Sequence, residues 1–285
     1  MNNIRKLAFI GGGNMAAALI SGLTKRGLPA ERLVAADPSQ EQLARLVRDY
    51  GIQTALDNAS AVQGAEVVVL AVKPQQMRAV ALNLAPHLAA TRPLATRPLL
   101  ISVAAGIPHA ALARWFGPHI PVIRTMPNRP ALNGFGATGL YAPAGIGAAY
   151  RALAETIMGA VSATVWVEHE SQMDTVTALS GSGPAYFYLF MEALEAAAHE
   201  RGLPTEVAHR LTLETAFGAA QMARHSADSL ATLREQVTSK GGTTAAALEV
   251  LNSAGLRAIV AHAVAAADRR SAELAAEFGA PENLI

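Results

Sequence analysis

The 285-residue sequence contains no cysteine. It therefore cannot form a disulfide framework, a thiolate zinc site or a cysteine nucleophile. Only 16% of the residues are charged and the formal net charge is +1, so the electrostatic signature of a nucleic-acid-binding protein is missing. Aromatic residues are also scarce, at 5%, whereas 51% of the chain is hydrophobic. This composition favours buried cores and closely packed helices over disorder or a β-sandwich.

Three other kinds of feature are missing from the sequence. The eight histidines show no metal-binding spacing and no accompanying carboxylate cluster, so no metal site is predicted. The longest uncharged stretch, residues 131–150, contains five glycines and a proline, which indicates loops and short strands instead of a membrane span. The apolar segment before the first glycines is too short for a secretory signal. We therefore expect a cytoplasmic protein.

The first half of the chain alternates short aliphatic runs with helical patterns. The predicted strands cover residues 7–10, 33–36, 67–72, 99–103 and 122–124, and the predicted helices cover residues 14–26, 40–49 and 75–84. Such alternation predicts right-handed βαβ crossovers and a doubly wound, mostly parallel sheet, the α/β architecture of a Rossmann domain.

After about Val167 the strand signal stops, and the remaining chain has the pattern of long alanine- and leucine-rich helices. We therefore predict a dinucleotide-binding domain over residues 1–167 and an all-helical domain over residues 168–285. Helices with many small residues, such as residues 215–220, approach one another closely and often bury a partner subunit. A homo-oligomer is expected, and the alternative is a single intramolecular bundle.

The strongest local motif is Gly11-Gly12-Gly13-Asn14-Met15-Ala16, which follows the first strand and opens the first helix. It matches the G-x-G-x-x-G/A pattern of dinucleotide-binding proteins. The first glycine allows a tight turn, the third lets the backbone approach the pyrophosphate, and the alanine permits close packing of helix on strand. The phosphates then lie at a helix N-terminus.

The ends of the other strands extend this predicted site. Asp37 lies 37 − 16 = 21 residues beyond the motif, where a carboxylate can bind the adenosine ribose and favour NAD. Alternatively, residues 37–39 cap the next helix through Ser39. Lys73 is the only charged residue among the other strand ends, although it could also simply end its strand. The predicted cofactor-binding residues are Gly11, Gly13, Asn14, Met15, Ala16, Asp37, Ser39, Asn58, Ala71, Val72, Lys73, Pro74, Ala104 and Gly106.

Two glycine-rich segments in the helical half, residues 180–184 and 238–244, precede helical patterns. Backbone N–H groups and hydroxyls at a helix start suit a small anion such as a substrate carboxylate. Ordinary helix capping is the alternative.

Five motifs taken in order resemble the pyrroline-5-carboxylate reductase family. They are GGGNMA at 11–16, AVKP at 71–74, MPN at 126–128, SGSGPAY at 180–186 and SKGGTT at 239–244. The segment 233–249 resembles the signature of that family. The resemblance implies a Rossmann domain, a helical dimerisation domain, and reduction of 1-pyrroline-5-carboxylate to L-proline by NADPH, with NADH as an alternative.

The resemblance also implies a substrate pocket between the nicotinamide and the helical domain. Its substrate-binding residues would be Ser239, Gly241, Gly242, Thr243 and Thr244, and Thr244, the implied catalytic residue, would hydrogen-bond the ring nitrogen. This chain departs from the family in three places: Lys240 replaces a frequent proline, Arg129 replaces a threonine, and Asp37-Pro38-Ser39 replaces an Asn-Arg-Ser/Thr-like run. The last departure bears on cofactor preference.

Two other functions share parts of this pattern. A β-hydroxyacid dehydrogenase uses a lysine on a helix of its second domain, but Lys240, the only lysine after residue 167, lies in a glycine loop. A non-catalytic dinucleotide sensor would not need the predicted anion site at residues 239–244.

Overall fold

The computed structural model describes residues 4–89 and 97–280. Its first feature is a sheet of eight strands. The strands are β1 (Leu7–Ile10), β2 (Leu33–Ala36), β3 (Gln53–Thr54), β4 (Val67–Leu70), β5 (Leu99–Ser102), β6 (Val122–Met126), β7 (Gly136–Tyr141) and β8 (Ser162–Trp166). Their spatial order is β3-β2-β1-β4-β5-β6-β7-β8. Every neighbouring pair is parallel except β6 with β7. The prediction of a doubly wound, mostly parallel sheet is confirmed.

Helices account for most of the remaining chain. They are α1 (Asn14–Lys25), α2 (Gln40–Tyr50), α3 (Asn58–Val62), α4 (Pro74–Ala89), α5 (His109–Phe116), α6 (Ala148–Met158), α7 (Gln172–Val176), α8 (Gly183–Glu200), α9 (Thr205–His225), α10 (Leu230–Gln236), α11 (Thr243–Ser253) and α12 (Leu256–Gly279). Short 3₁₀ turns cover Ala30–Arg32 and Arg129–Asn133, and a π-turn covers Thr177–Gly181.

The strands β1, β2 and β4 are hydrophobic at every position because both faces of the sheet are covered. In β1, Leu7 and Phe9 belong to one core and Ala8 and Ile10 to the other. Successive side chains of a strand point to opposite faces, so one uninterrupted apolar run contributes to both cores. This burial gives the parallel sheet the continuous aliphatic pattern seen in the sequence.

The chain divides into two compact units, one formed by residues 1–182 with 266–285 and the other by residues 183–265. The sheet, α1 to α7 and the π-turn lie in the first. There the end of α12 packs on the sheet unit: Ser271 donates a hydrogen bond to Asp174 at 2.7 Å, and Thr175 donates one to Asp268 at 2.7 Å. The domain boundary between residues 167 and 168 stays a prediction.

The second unit, which contains α8 to α11, has few buried side chains. Ala208 and Thr212 are buried, but many large apolar side chains are exposed, among them Phe187 (71%), Phe217 (57%) and Val250 (68%). Exposed apolar surface of this extent is typical of a protein–protein contact.

Over the described ranges, no single helix has both the length and the apolar character of a membrane span. Only α11 and α12 taken together pass on length and composition, and they are bent by 52°.

Candidate dinucleotide and substrate sites

The glycine loop between β1 and α1 contains two glycines with different surroundings, Gly11 and Gly13. Gly11 has a φ of 99°, and a Cβ atom there would lie 2.5 Å from the carbonyl oxygen of Ala71. Both the left-handed backbone and the close approach therefore require glycine. Gly13 has an ordinary φ of −70°, and nothing lies within 4 Å of the position of its absent Cβ. The space over Gly13 is open to a ligand.

The N-terminus of α1 suits an anion. Gly13 is its N-cap and supplies no side-chain hydrogen bond, and the first turn contains no acidic residue. The first N–H groups of a helix need acceptors and carry a partial positive charge. Together with the open surface over Gly13, these features fit a pyrophosphate.

Asp37 joins the glycine loop to the start of α2. Its Oδ2 accepts a hydrogen bond from the backbone N–H of Gly12 at 2.7 Å, and its Oδ1 accepts one from Ser39 at 2.8 Å. Ser39 is the N-cap of α2 and accepts a hydrogen bond from the N–H of Gln42 at 3.3 Å. The capping interpretation of residues 37–39 is therefore confirmed. Each carboxylate oxygen retains lone pairs that could accept a ribose hydroxyl.

The loops after β3, β4 and β5 lie at the same edge of the sheet because these strands are parallel to β1 and β2. Lys73 is exposed at this edge, and Pro74 is the first residue of α4. Gly106 has a φ of 71°, and Leu274 and Phe278 pack over it. Asn58 begins α3 directly after its N-cap Asp57. Hydrogen bonding from Ser60 lowers the pKa of Asp57 below its ordinary value.

The structure adds a polar network that sequence reasoning did not find. Arg124 on β6 is buried and forms an ion pair with Glu170, whose carboxylate also accepts a hydrogen bond from the backbone N–H of His109. Burial lowers the pKa of His109, partly opposed by Glu170. A polar residue inside the aliphatic pattern of β6 was the available signal, since buried charges are almost always paired.

The segment 180–184, predicted as a glycine-rich stretch with available N–H groups before a helix, is itself largely helical. Residues Thr177–Gly181 form a π-turn that leads into α8 at Gly183, so Pro184 is the second helical residue. The N–H of Ser182 donates to the carbonyl of Thr177 at 2.9 Å and is not free for a ligand. Beside this turn Asn128, which follows β6, donates a hydrogen bond from Nδ2 to the carbonyl of Ser180 at 2.9 Å.

The predicted substrate loop lies in the second unit, where its glycines are also constrained. Gly241 has a φ of 73°, and a Cβ on Gly242 would lie 2.3 Å from the hydroxyl oxygen of Ser239. Gly242 is the N-cap of α11 and makes no side-chain cap. In the part of the chain that the structure describes, the hydroxyl of Thr244 has no hydrogen-bond partner. The start of α11 therefore offers a hydroxyl and an uncapped helix end to a ligand.

Thus Gly11, Gly13, Asp37, Ser39, Ala71 and Lys73 come together in the first unit, and Ser239 to Thr244 come together in the second. Among the described residues no group of three or more histidine, aspartate or glutamate side chains is arranged to hold a metal ion.

Comparison with known proteins adds family information to this geometry. Residues 170–274 match the model of the pyrroline-5-carboxylate reductase dimerisation domain, and residues 6–106 match that of the coenzyme F420-dependent NADP oxidoreductases. A pyrroline-5-carboxylate reductase from Pseudomonas aeruginosa is 49% identical over 96% of this chain and 98% of its own length.

Solved structures agree with this result. A pyrroline-5-carboxylate reductase from Coxiella burnetii is 41% identical, with a TM-score of 0.90, covering 95% of this chain and 99% of that one. The Plasmodium falciparum pyrroline carboxylate reductase, solved with NADP bound, is 29% identical, with a TM-score of 0.82, covering 96% of this chain and 99% of that one.

Proposed function

This chain belongs to the pyrroline-5-carboxylate reductase family, and we propose that it reduces the C=N bond of 1-pyrroline-5-carboxylate to give L-proline. The observation that carries the proposal is the glycine loop at the start of α1. The constrained glycine at position 11, the open surface over Gly13 and the uncapped helix end fit a dinucleotide, and a nicotinamide dinucleotide is the cofactor to which the family similarity points.

The chemistry requires a hydride at the imine carbon and a proton at the ring nitrogen. A bound reduced nicotinamide supplies the hydride. The protein orients the two reactants, and orientation alone accounts for a large share of a catalytic barrier. We propose that the N–H groups at the start of α11 and the residues Ser239, Gly241, Gly242 and Thr243 hold the substrate. The hydroxyl of Thr244, without a partner in the described chain, then hydrogen-bonds the ring nitrogen and steadies its proton.

Asp37 governs the proposed choice of cofactor. Its negative charge would repel a 2′-phosphate, but the two N–H bonds from Gly12 and Ser39 offset part of that charge. We therefore propose that NADPH and NADH are both used, with NADPH slightly favoured. The remaining cofactor-binding residues predicted from the sequence, including Asn58 and Lys73, are part of this proposal.

The second unit is proposed to associate with a second copy of the chain, as a homodimer or a higher homo-oligomer. The apolar side chains of α8, α9 and α11 are exposed in the single chain, and contact with a second copy would bury them favourably. The matched family model is a dimerisation domain. A cytoplasmic location also stays a prediction.

Oxidation of NADPH and NADH, followed at 1-pyrroline-5-carboxylate concentrations that span saturation, tests the activity. Hydroxyacids assayed in the reverse direction serve as the control for a β-hydroxyacid dehydrogenase. No oxidation of either cofactor with the imine would reject the proposed function. A preference for NADH above about a hundredfold in kcat/KM, about 2.7 kcal/mol, would reject the cofactor assignment alone.

A further inference from the structure

Pro184 creates a gap in the backbone hydrogen bonding at the start of α8. In an α-helix each carbonyl accepts a hydrogen bond from the N–H four residues later. Ser180 lies in the π-turn, where the N–H of Ser182 bonds the carbonyl five residues earlier. If the α-helical pattern of α8 is continued back to Ser180, its donor is residue 184, and proline has no N–H to donate. The carbonyl of Ser180 therefore lacks its helical partner, and a carbonyl without any partner is costly when it is removed from water.

Asn128 supplies the missing hydrogen bond from outside the helix. Asn128 is 9% exposed, and its Nδ2 lies 2.9 Å from the carbonyl oxygen of Ser180. Its Oδ1 accepts a hydrogen bond from the backbone N–H of Ala137 at 2.9 Å. Because the N–H of Ala137 can only donate and the carbonyl of Ser180 can only accept, Oδ1 of Asn128 must face Ala137 and Nδ2 must face Ser180. An amide of this length serves both partners at once, whereas an ionised carboxylate of the same length has no hydrogen to donate.

The π-turn lies at the edge of the sheet that the cofactor is proposed to occupy. β6 runs parallel to β5, so Met126 and Asn128 are at the carboxyl edge, in the half of the sheet formed by β4, β5 and β6. The methyl group of Met126 lies 2.6 Å from the position that a Cβ on Gly181 would occupy. In a doubly wound sheet this edge binds ligands, and π-turns inside helices are frequent at functional sites.

We propose that Asn128 is a positioning residue, which gives the Ser180 carbonyl the hydrogen bond that Pro184 cannot give and so holds the π-turn Thr177–Gly181 in the arrangement needed for imine reduction. This inference rests on the proposed function. Its distinctive consequence is that Asn128 and Pro184 are coupled: an alanine at residue 184 restores an N–H and makes the amide of Asn128 less necessary.

Asn128→Asp is the test variant because it changes one atom. A carboxylate can still accept the hydrogen bond from Ala137, but it faces the Ser180 carbonyl without a donor. We expect kcat/KM for 1-pyrroline-5-carboxylate at pH 8.5 to fall about 100-fold, the effect of a displacement of about 1 Å near a reacting centre. The dissociation constant of NADPH, measured by fluorescence titration, should change by less than about threefold, since the proposed phosphate and ribose contacts lie on other loops, in residues 11–16 and 37–39.

Protonation should partly rescue this variant. A protonated carboxyl has an O–H that can donate to Ser180, so the ratio of variant to wild-type kcat/KM should rise as the pH is lowered from 8.5 to 6. Asn133→Asp, which adds the same charge at an exposed position of the same unit, is the matched control and should show no such rise. If Asn128 had a purely structural role, Asn128→Asp would lower the urea midpoint but leave KM and the pH profile of the kcat/KM ratio unchanged. That result would overturn the proposal.

The decisive measurement is a double-mutant cycle with Pro184→Ala. Urea unfolding and kcat/KM are measured for wild type, both single variants and the double variant. We expect Asn128→Asp to lower the free energy of unfolding and kcat/KM by less in the Pro184→Ala background than in wild type. Equal losses of both quantities in the two backgrounds would overturn the proposal. If Asn128→Asp folds only in the Pro184→Ala background, the coupling is shown directly, and failure to fold in both backgrounds counts against it. If the wild-type chain shows no turnover, the proposed function and the catalytic part of this inference are both rejected. The double-mutant cycle in urea would still show whether Asn128 replaces the hydrogen bond that Pro184 cannot donate.

Discussion

Gly13 and Gly11 lie two residues apart in one loop, but alanine should have different effects at the two positions. At Gly13 it should weaken cofactor binding, and at Gly11 it should lower the stability of the fold. Gly13 has a φ of −70° and empty space over it, so the fold accepts a methyl group there. Loss of backbone freedom in the unfolded chain and a slightly poorer N-cap nearly cancel, and the free energy of unfolding should change by less than about 1 kcal/mol. The methyl group, however, occupies the space through which a phosphate would reach the start of α1.

The loss in cofactor affinity follows from the hydrogen bonds at stake. A hydrogen bond to a charged group is worth about 1.5–3 kcal/mol, and a phosphate displaced by a methyl group loses at least one. At about 1.4 kcal/mol per tenfold, Gly13→Ala should weaken NADPH binding by about 10- to 150-fold. Fluorescence titration with NADPH, combined with urea unfolding of the same sample, measures both quantities.

Gly11→Ala is the matched comparison. Its φ of 99° and the 2.5 Å approach to the Ala71 carbonyl add a strained backbone, about 1–3 kcal/mol, to a steric overlap that the backbone must relieve by moving. The free energy of unfolding should fall by at least about 2 kcal/mol. A Gly13→Ala protein that binds NADPH as tightly as wild type, or an equal loss of stability in the two variants, would contradict the different roles assigned to the two glycines.

Three further predictions concern the other parts of the molecule. Thr244→Ala should lower kcat/KM for 1-pyrroline-5-carboxylate about 10- to 1000-fold with little change in NADPH affinity. Thr244→Ser, which keeps a hydroxyl, should recover most of the lost kcat/KM. A destabilised Thr244→Ala protein with normal kcat/KM would instead indicate a structural role. Burial holds the pKa of His109 below 6.5 in the folded state, so the unfolded chain binds more protons, and the free energy of unfolding should fall as the pH drops below 6.5. His109→Gln should reduce this pH dependence in urea unfolding at pH 7.5 and 5.5, and an unchanged dependence would contradict the assignment. Phe217 lies in the exposed apolar surface of the second unit, and Phe217→Asp should lower the mass found by light scattering at micromolar concentration. Leu56→Asp, at an exposed position of the first unit, should leave that mass unchanged. A monomeric wild type would refute the association.

The central strands could be predicted from the sequence because their environment is simple. β1 and β2 begin and end at the predicted residues, since in each strand four buried apolar residues lie between polar or turn-forming neighbours. By contrast, β7 has the sequence GATGLY and β8 has partly exposed residues throughout. The sequence indicates loops and short strands within residues 131–150, but neither pattern gives the bounds of a strand. They pair with each other and with β6, so their conformation is fixed by tertiary contacts that overcome weak local preference.

The candidate sites show the same division between local and distant causes. The glycine loop could be predicted because a turn, a phosphate approach and a helix start are all encoded within residues 11–16. The second bond of Asp37, to the N–H of Gly12, could not, because its partner lies 25 residues away. Likewise α4 extends to Ala89 through Pro86, beyond the predicted end at Leu84, because one proline interrupts a helix without always ending it.

The π-turn shows why part of a site can be hidden in a recognisable motif. Residues 180–184 identify Pro184 and therefore a carbonyl at Ser180 without an α-helical donor, and this much is local chemistry. The donor is Asn128, 52 residues earlier, in a segment whose own motif gives no reason to expect that contact. A missing backbone hydrogen bond can thus be located from the sequence, but the group that replaces it depends on how the strand β6 and the turn are brought together. The coupling between Asn128 and Pro184 is therefore a property of the fold, and substitution at both positions is needed to measure it.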